Sequence, residues 1–398
     1  MPIVDIRDVS FIPRFEAGIL KDFDLQIEEG TINILTGDSM SGTKLALQVL
    51  NGLIPESIVG EMTGEVIVDG INVAEVTIAE MALHVGMVLE NPAEMIVSLT
   101  VEEDIAFGLQ NLGLETDEIQ ARVRESLERT RLTGFQTRNP NTLSGGELQC
   151  AAIAGVLAMR PKLIALIDPI APLDPVGKSL VCDLIVHLNE NYGITFMISE
   201  PGMNIEPLAA IAHRIIVMDD GAVVRSGDPE EVFSEKESWD LGLPQVTELF
   251  LELRKKNPKL PLPVTLEEAE EEVRRLAKGK KVKTPKRRSK AEKNEKEAVV
   301  KIRNVVHRFE SEPPVIALNG INLDIYDGDF VGIIGQNGGG KTTLAYHMLG
   351  LEKPTNEDSE ISVAGVDVKT ADLSDLTSHI NYSFQNPDHQ LFCETVED

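Results

Sequence analysis

Residues 335–342 read GQNGGGKT, a loop whose composition suits the enclosure of a chain of phosphates. Glycines let successive backbone N–H groups turn inward onto phosphate oxygens, and a helix that starts on the loop adds the partial positive charge of its N-terminus. The spacing G-x-x-x-x-G-K-T puts Lys341 in reach of the β- and γ-phosphates and makes the Thr342 hydroxyl a ligand for Mg²⁺, so ATP and Mg²⁺ are the expected cofactors. The candidate nucleotide-binding residues are Gly335, Gln336, Asn337, Gly338, Gly339, Gly340, Lys341, Thr342 and Thr343. Upstream, Phe309 could stack on the adenine, with core packing as the equal alternative.

Such a loop needs a strand before it and a helix after it. Residues 330–334 form a short apolar run, read as the strand, and the residues after Thr342 have helical spacing. The arrangement occurs twice. Residues 30–53 match residues 328–351 at a constant offset of 298, VDIRDV at Val4 resembles VKIRNV at Val300, and ENPAEMIVSLTVEED at Glu90 resembles QNPDHQLFCETVED at Gln385. In the first copy the loop reads GDSMSGTK over 37–44: Met40 replaces a glycine, Thr43 takes the lysine position and Lys44 the hydroxyl position. One residue on a helix is a rotation of about 100°, so Lys44 is expected to miss the phosphates, and the first copy to bind ATP weakly or not at all.

LSGGELQ at 143–149 follows the first loop, and with the two loops it resembles the signature of ATP-binding-cassette proteins. Ser144 and Glu147 also form a capping box for a helix running to about Ala158. The resemblance implies an α/β P-loop NTPase fold, with a parallel core sheet, an antiparallel β-subdomain and a helical subdomain in each cassette. Two cassettes stand in tandem here, the second incomplete. It further implies that Ser144, Gly145 and Gly146 contact the γ-phosphate of ATP held by the other domain, and that Gln385 adds a contact to Mg²⁺ through ATP. The remaining family motifs of the first copy are altered: Ile167 stands at the metal-linked aspartate, Asp168 at the general-base glutamate, Glu90 at the glutamine and Glu200 at the histidine. Asp174 fits the loop that bridges the two domains. What survives, LSGG in the first copy and GQNGGGKT in the second, belongs to one composite site, so the first domain is expected to be a non-hydrolysing half that completes the site of the second.

Within the cassettes, TVEEDIAFGLQNLGL at 100–114, NGLIP at 51–55, ENP and QNP, and LPQVTEL at 243–249 resemble the tandem ATPase component of energy-coupling factor transporters. That resemblance implies an ATPase subunit driving import of a vitamin or of a metal ion such as cobalt or nickel. Its partners would be a transmembrane coupling protein and a substrate-binding membrane protein, and its place the cytoplasmic face of the membrane. The alternatives are a soluble tandem cassette acting on ribosomes, or an inactive remnant.

Composition sets the outer limits. A net charge of −28 over 398 residues disfavours a nucleic-acid footprint, no stretch offers the ~18 to 20 apolar residues of a membrane span, and Cys150, Cys182 and Cys393 lie too far apart to suggest a disulfide or zinc framework. The expected organisation is a degenerate cassette over 1–235, a helical extension over 236–277, a basic linker over 278–298 with ten Lys or Arg against three Glu, and the N-terminal part of a second cassette over 299–398. The second signature, its acidic strand and its histidine would lie beyond Asp398, so the second copy has no identified catalytic residues and the chain is read as truncated.

Overall fold

Apolar residues alternate with polar ones along Val4–Pro13 (β1) and Leu20–Ile27 (β2), and each segment buries one face, through Val4, Ile6, Val9 and Phe11 in the first and Leu20, Phe23, Leu25 and Ile27 in the second. The chain continues through β3 (Ile32–Thr36), α1 (Thr43–Gln48), α2 (Leu53–Glu56), β4 (Gly60–Val68), β5 (Ile71–Asn72), α3 (Ile78–Met81) and β6 (Val85–Val88). Three helices follow, α4 (Val101–Asn111), α5 (Thr116–Arg129) and α6 (Gly145–Leu157), then β7 (Leu163–Ile167), α7 (Pro175–Tyr192), β8 (Thr195–Glu200) and α8 (Ile205–Ala209). Next come β9 (Arg214–Asp219), β10 (Ala222–Gly227), α9 (Pro229–Ser234), α10 (Gln245–Arg254) and α11 (Leu266–Ala277). The last elements are β11 (Ala298–Phe309), β12 (Val315–Tyr326), α12 (Lys341–Leu349), β13 (Glu360–Val363), β14 (Val366–Asp367) and α13 (Leu373–Leu376). The computed structural model describes residues 2–15, 19–38, 40–202, 204–234, 242–278, 297–310, 314–384, 390 and 395, and its residues form two units, Met1–Val282 and Lys283–Asp398. Apart from Lys278, Glu297 and Ala298, the expected linker lies outside the described residues, as do Gln385 and Cys393.

In the first unit six strands lie in the order β10-β9-β3-β8-β7-β6, parallel from β9 to β6, with β10 antiparallel at one edge. Their side chains alternate between two cores. Leu163, Ala165 and Ile167 of β7 face the antiparallel sheet β2-β1-β4-β5, whereas Ile164 and Leu166 face α4, α5, α6 and α7. Burial on both faces explains why these strands read as largely apolar runs. Helix ends are specified locally: Thr100 accepts a hydrogen bond from the Glu103 N–H at the start of α4, Asp174 accepts from the Gly177 N–H before Pro175 in α7, and Gly193 closes α7 in the left-handed conformation.

The second unit repeats the antiparallel sheet in the same order, β12-β11-β13-β14. Its predicted strand over 330–334 is not formed. Phe330 and Ile334 are almost wholly exposed, and the segment has no regular structure. The physical reason is the lack of partners: in the first unit β3 is paired along both edges, by β8 and β9, and no described strand of the second unit lies beside 330–334. An isolated apolar strand leaves its backbone groups to water and gains no core.

Candidate functional site

The glycine loop of the second unit is built as its sequence demands. Gly338 and Gly340 have φ of 73° and 81°, a conformation other residues rarely take. At Gly340 a side chain is excluded twice over, since a Cβ there would sit 2.3 Å from the Ala317 carbonyl oxygen of β12. The Gly339 N–H donates to the Gln336 carbonyl at 3.0 Å, and α12 starts at Lys341, with its first N–H groups unclaimed by the helix. Lys341 folds back over the loop, its Nζ donating to the carbonyls of Gly335 at 2.8 Å and Gln336 at 2.6 Å. The one cation of the loop thus hangs over its glycine backbone, with Thr342 exposed beside it. Such a donor set fits a polyphosphate with its metal. Phe309 is 43% exposed at the end of β11, opposite Val315 of β12, and so leads into the strand whose Ala317 carbonyl packs on Gly340.

The corresponding loop of the first unit shares the turn at its last glycine and has different chemistry. Gly42 has φ of 92°, and a Cβ there would meet the Ile19 carbonyl at 2.4 Å, the contact made at Gly340 by Ala317. Thr43 is buried, Lys44 is exposed and Met40 is 65% exposed. Asp38, which the sequence reading passed over, supplies an anion of its own: its carboxylate accepts from the Met40 N–H at 2.9 Å, and its carbonyl accepts from the Ser41 N–H and hydroxyl at 3.1 and 2.7 Å. A loop amide that could meet phosphate is therefore taken by a carboxylate.

The altered positions of the first unit do come together. Lys44, Gln48, Glu90, Asn91, Glu94 and Ile167 line one groove of about 660 Å³. Asp168, just past β7, has φ of 46° and is held by Ser199, whose hydroxyl donates to its carboxylate at 2.6 Å. Burial pushes the Asp168 carboxyl above its ordinary value, with Glu90 adding to the rise and Ser199 and Lys44 opposing it. Glu200, at the end of β8, is fully buried, with one carboxylate oxygen accepting from the Asn204 N–H at 3.0 Å and the other without a hydrogen-bond partner. Burial raises its pKa as well, and Asp168 adds to that rise. Acidic side chains crowd Lys44 here, a setting less favourable to a polyphosphate than a lysine, a hydroxyl and a histidine would be.

Ser144, Gly145 and Gly146 stand at the start of α6. The Ser144 hydroxyl accepts from the Glu147 N–H at 3.3 Å while the Glu147 carboxylate accepts from the Ser144 N–H at 2.7 Å, the capping box read from sequence. Gly146 has a second task not visible in the motif: a Cβ on it would lie 2.8 Å from the Gly177 Cα of α7. Gln385, expected at the metal, lies outside the described residues.

The family model described as ABC transporter matches residues 20–171 and 318–398. An ABC transporter ATP-binding protein of Caldanaerobacter subterraneus is 34% identical over 402 residues, covering 99% of this chain and 69% of its own length. One from Pyrococcus horikoshii is 40% identical over 260 residues, which are 64% of this chain and 91% of that protein. Among solved structures, cbiO1 of Clostridium perfringens, part of the ABC transporter complex cbiONQ, is 28% identical with a TM-score of 0.54, covering 64% of this chain and 97% of its own. The chain spans 66 to 69% of the length of three of the relatives that match along 99% of it.

Proposed function

The chain belongs to the ABC transporter family, and from that premise we propose that it is the ATP-binding subunit of an importer that moves a vitamin or a metal ion. ATP with Mg²⁺ is held by residues 335–343, and the adenine stacks on Phe309. The first unit does not hydrolyse ATP; through Ser144, Gly145 and Gly146 it serves the nucleotide of a second cassette, because cassettes pair head to tail and share each nucleotide. Hydrolysis by the full-length protein, with Gln385 near the metal, is part of the same reading. Its partners are a transmembrane coupling protein and a substrate-binding membrane protein, which hold the chain at the cytoplasmic face of the membrane. Similarity to cbiO1 supports this, as do Val97, Leu99 and Phe107, which offer exposed apolar surface at and before α4. Among the described residues no helix is long and apolar enough to cross a membrane, so attachment falls to those partners.

The contrast between the two loops carries the reading: glycine and a lysine over phosphate-facing backbone in the second, carboxylates and a displaced lysine in the first. Calorimetry with Mg·ATP tests it. Lys341→Ala should weaken binding by about 10- to 150-fold, the worth of a hydrogen bond to a charged group at ~1.5 to 3 kcal/mol, and Lys44→Ala should leave it unchanged. Binding that survives Lys341→Ala, or that falls equally with Lys44→Ala, would refute the assignment.

A further inference from the structure

Two histidines lie inside the second unit beside the nucleotide loop, and nothing in the loop motif accounts for them. His307 on β11 is 6% exposed and His347 on α12 is fully buried. Their rings meet edge to face at 4.8 Å and 82°, and His307 packs in the same way on Phe309, at 4.7 Å and 73°. His347 Nδ1 lies 2.7 Å from the Thr343 carbonyl oxygen and His307 Nδ1 3.2 Å from that of Lys353. A carbonyl only accepts, so we assign a proton to Nδ1 of each ring, which in His347 leaves Nε2 as the nitrogen that titrates. His347 Nε2 is buried with no hydrogen-bond partner, and burial disfavours a proton placed there.

The contact joins two elements that a nucleotide would bridge. β11 ends on Phe309, the aromatic face for the base, and α12 begins on Lys341, the cation for the phosphates, with Thr343 held by His347 one turn behind it. We propose that His307 and His347 are positioning residues for the second unit's nucleotide site, fixing Phe309 relative to the start of α12, and that acidification breaks their contact and with it the affinity for ATP. The proposal rests on the nucleotide-binding reading above.

Burial holds the His347 pKa below its ordinary value of 6.5, with His307 adding to the fall and the Thr343 and Lys353 carbonyls and the Glu352 carboxylate opposing it. Glu352, on the segment after α12, is the carboxylate that acts on the ring. A ring that is neutral when packed favours the packed arrangement at pH above 6.5 and loses that advantage as the pH falls from there through its lowered value.

The test is calorimetric affinity for Mg·ATP from pH 7.5 to 5.5, measured on the whole chain, on His347→Leu, which fills the space without titrating, and on His307→Gln, which keeps a donor for Lys353. Circular dichroism verifies that each variant is folded, and His307→Gln carries the test if His347→Leu is not. The wild type should lose about tenfold more affinity over this range than either variant, since the protonation of ATP itself is common to all three. Parallel profiles overturn the proposal. Absence of binding at pH 7.5, with Lys341→Ala indistinguishable from wild type, overturns the nucleotide reading and the proposal with it.

Discussion

Glu200 carries a carboxyl into the interior of the first unit, at the position where the family resemblance implies a histidine. One oxygen takes the Asn204 N–H, and the other has nothing to accept from. Burial raises its pKa, Asp168 raises it further, and Lys178 offsets only part. The folded chain therefore holds this proton to higher pH than the unfolded chain does, so the site's contribution to stability is complete below the ordinary value of 4.5 and is lost as the pH climbs through the raised value. Glu200→Gln keeps the shape and removes the titration. Urea denaturation should find the variant more stable than the wild type at pH 8 and equal to it at pH 4; a constant difference across that range would show that Glu200 is not protonated by its burial. The sequence identified position 200 as altered, because it aligns with a known motif, but not the consequence, because a glutamate after a strand reads equally as a solvated loop residue. Asp38 was missed for the same reason: its capture of the Met40 N–H depends on how the loop turns.

At the scale of elements, α6 shows which part of a motif is local. Its capping box joins residues three apart and is legible in the string, whereas the contact of Gly146 with Gly177 joins α6 to α7 and leaves no trace in either segment. Gly146 consequently does structural work before any nucleotide is present. Gly146→Ala should force the two helices apart and destabilise the nucleotide-free first unit by about 1 to 3 kcal/mol, as overpacking at a close backbone contact does, while Ser144→Ala should cost about 1 kcal/mol through loss of the cap. Thermal denaturation without ATP distinguishes the roles: an unchanged melting temperature in Gly146→Ala would reserve that glycine for nucleotide contact alone. The strands of the central sheet were legible as apolar runs, but their order was not, because β3 takes as neighbours β8 and β9, segments far along the chain.

Across the whole molecule the repeat was the most legible feature, and the same strand order, β2-β1-β4-β5 and β12-β11-β13-β14, stands behind it in the two units. Where the copies diverge, the reading from local pattern failed for a non-local reason. Residues 330–334 (FVGII) are more apolar than 32–36 (INILT) and both precede matching loops, yet the first copy's segment is a buried strand and the second copy's is exposed. Apolar composition specifies willingness to be buried, and long-range pairing decides whether burial occurs. Hydrogen exchange followed by mass spectrometry measures the difference. Amides of 32–36, bonded to β8 and β9, open only with the sheet, whereas those of 330–334 have no ladder to leave, so the second group should exchange at least about a thousandfold faster, the ratio that ~4 kcal/mol of local stability gives. Mg·ATP should slow exchange at the start of α12 while leaving 330–334 fast, because a ligand on the loop adds contacts to its amides and provides no partner strand. Equal protection of the two segments in the free chain would mean that 330–334 finds its pairing elsewhere, and that the loop it leads into is held from both sides.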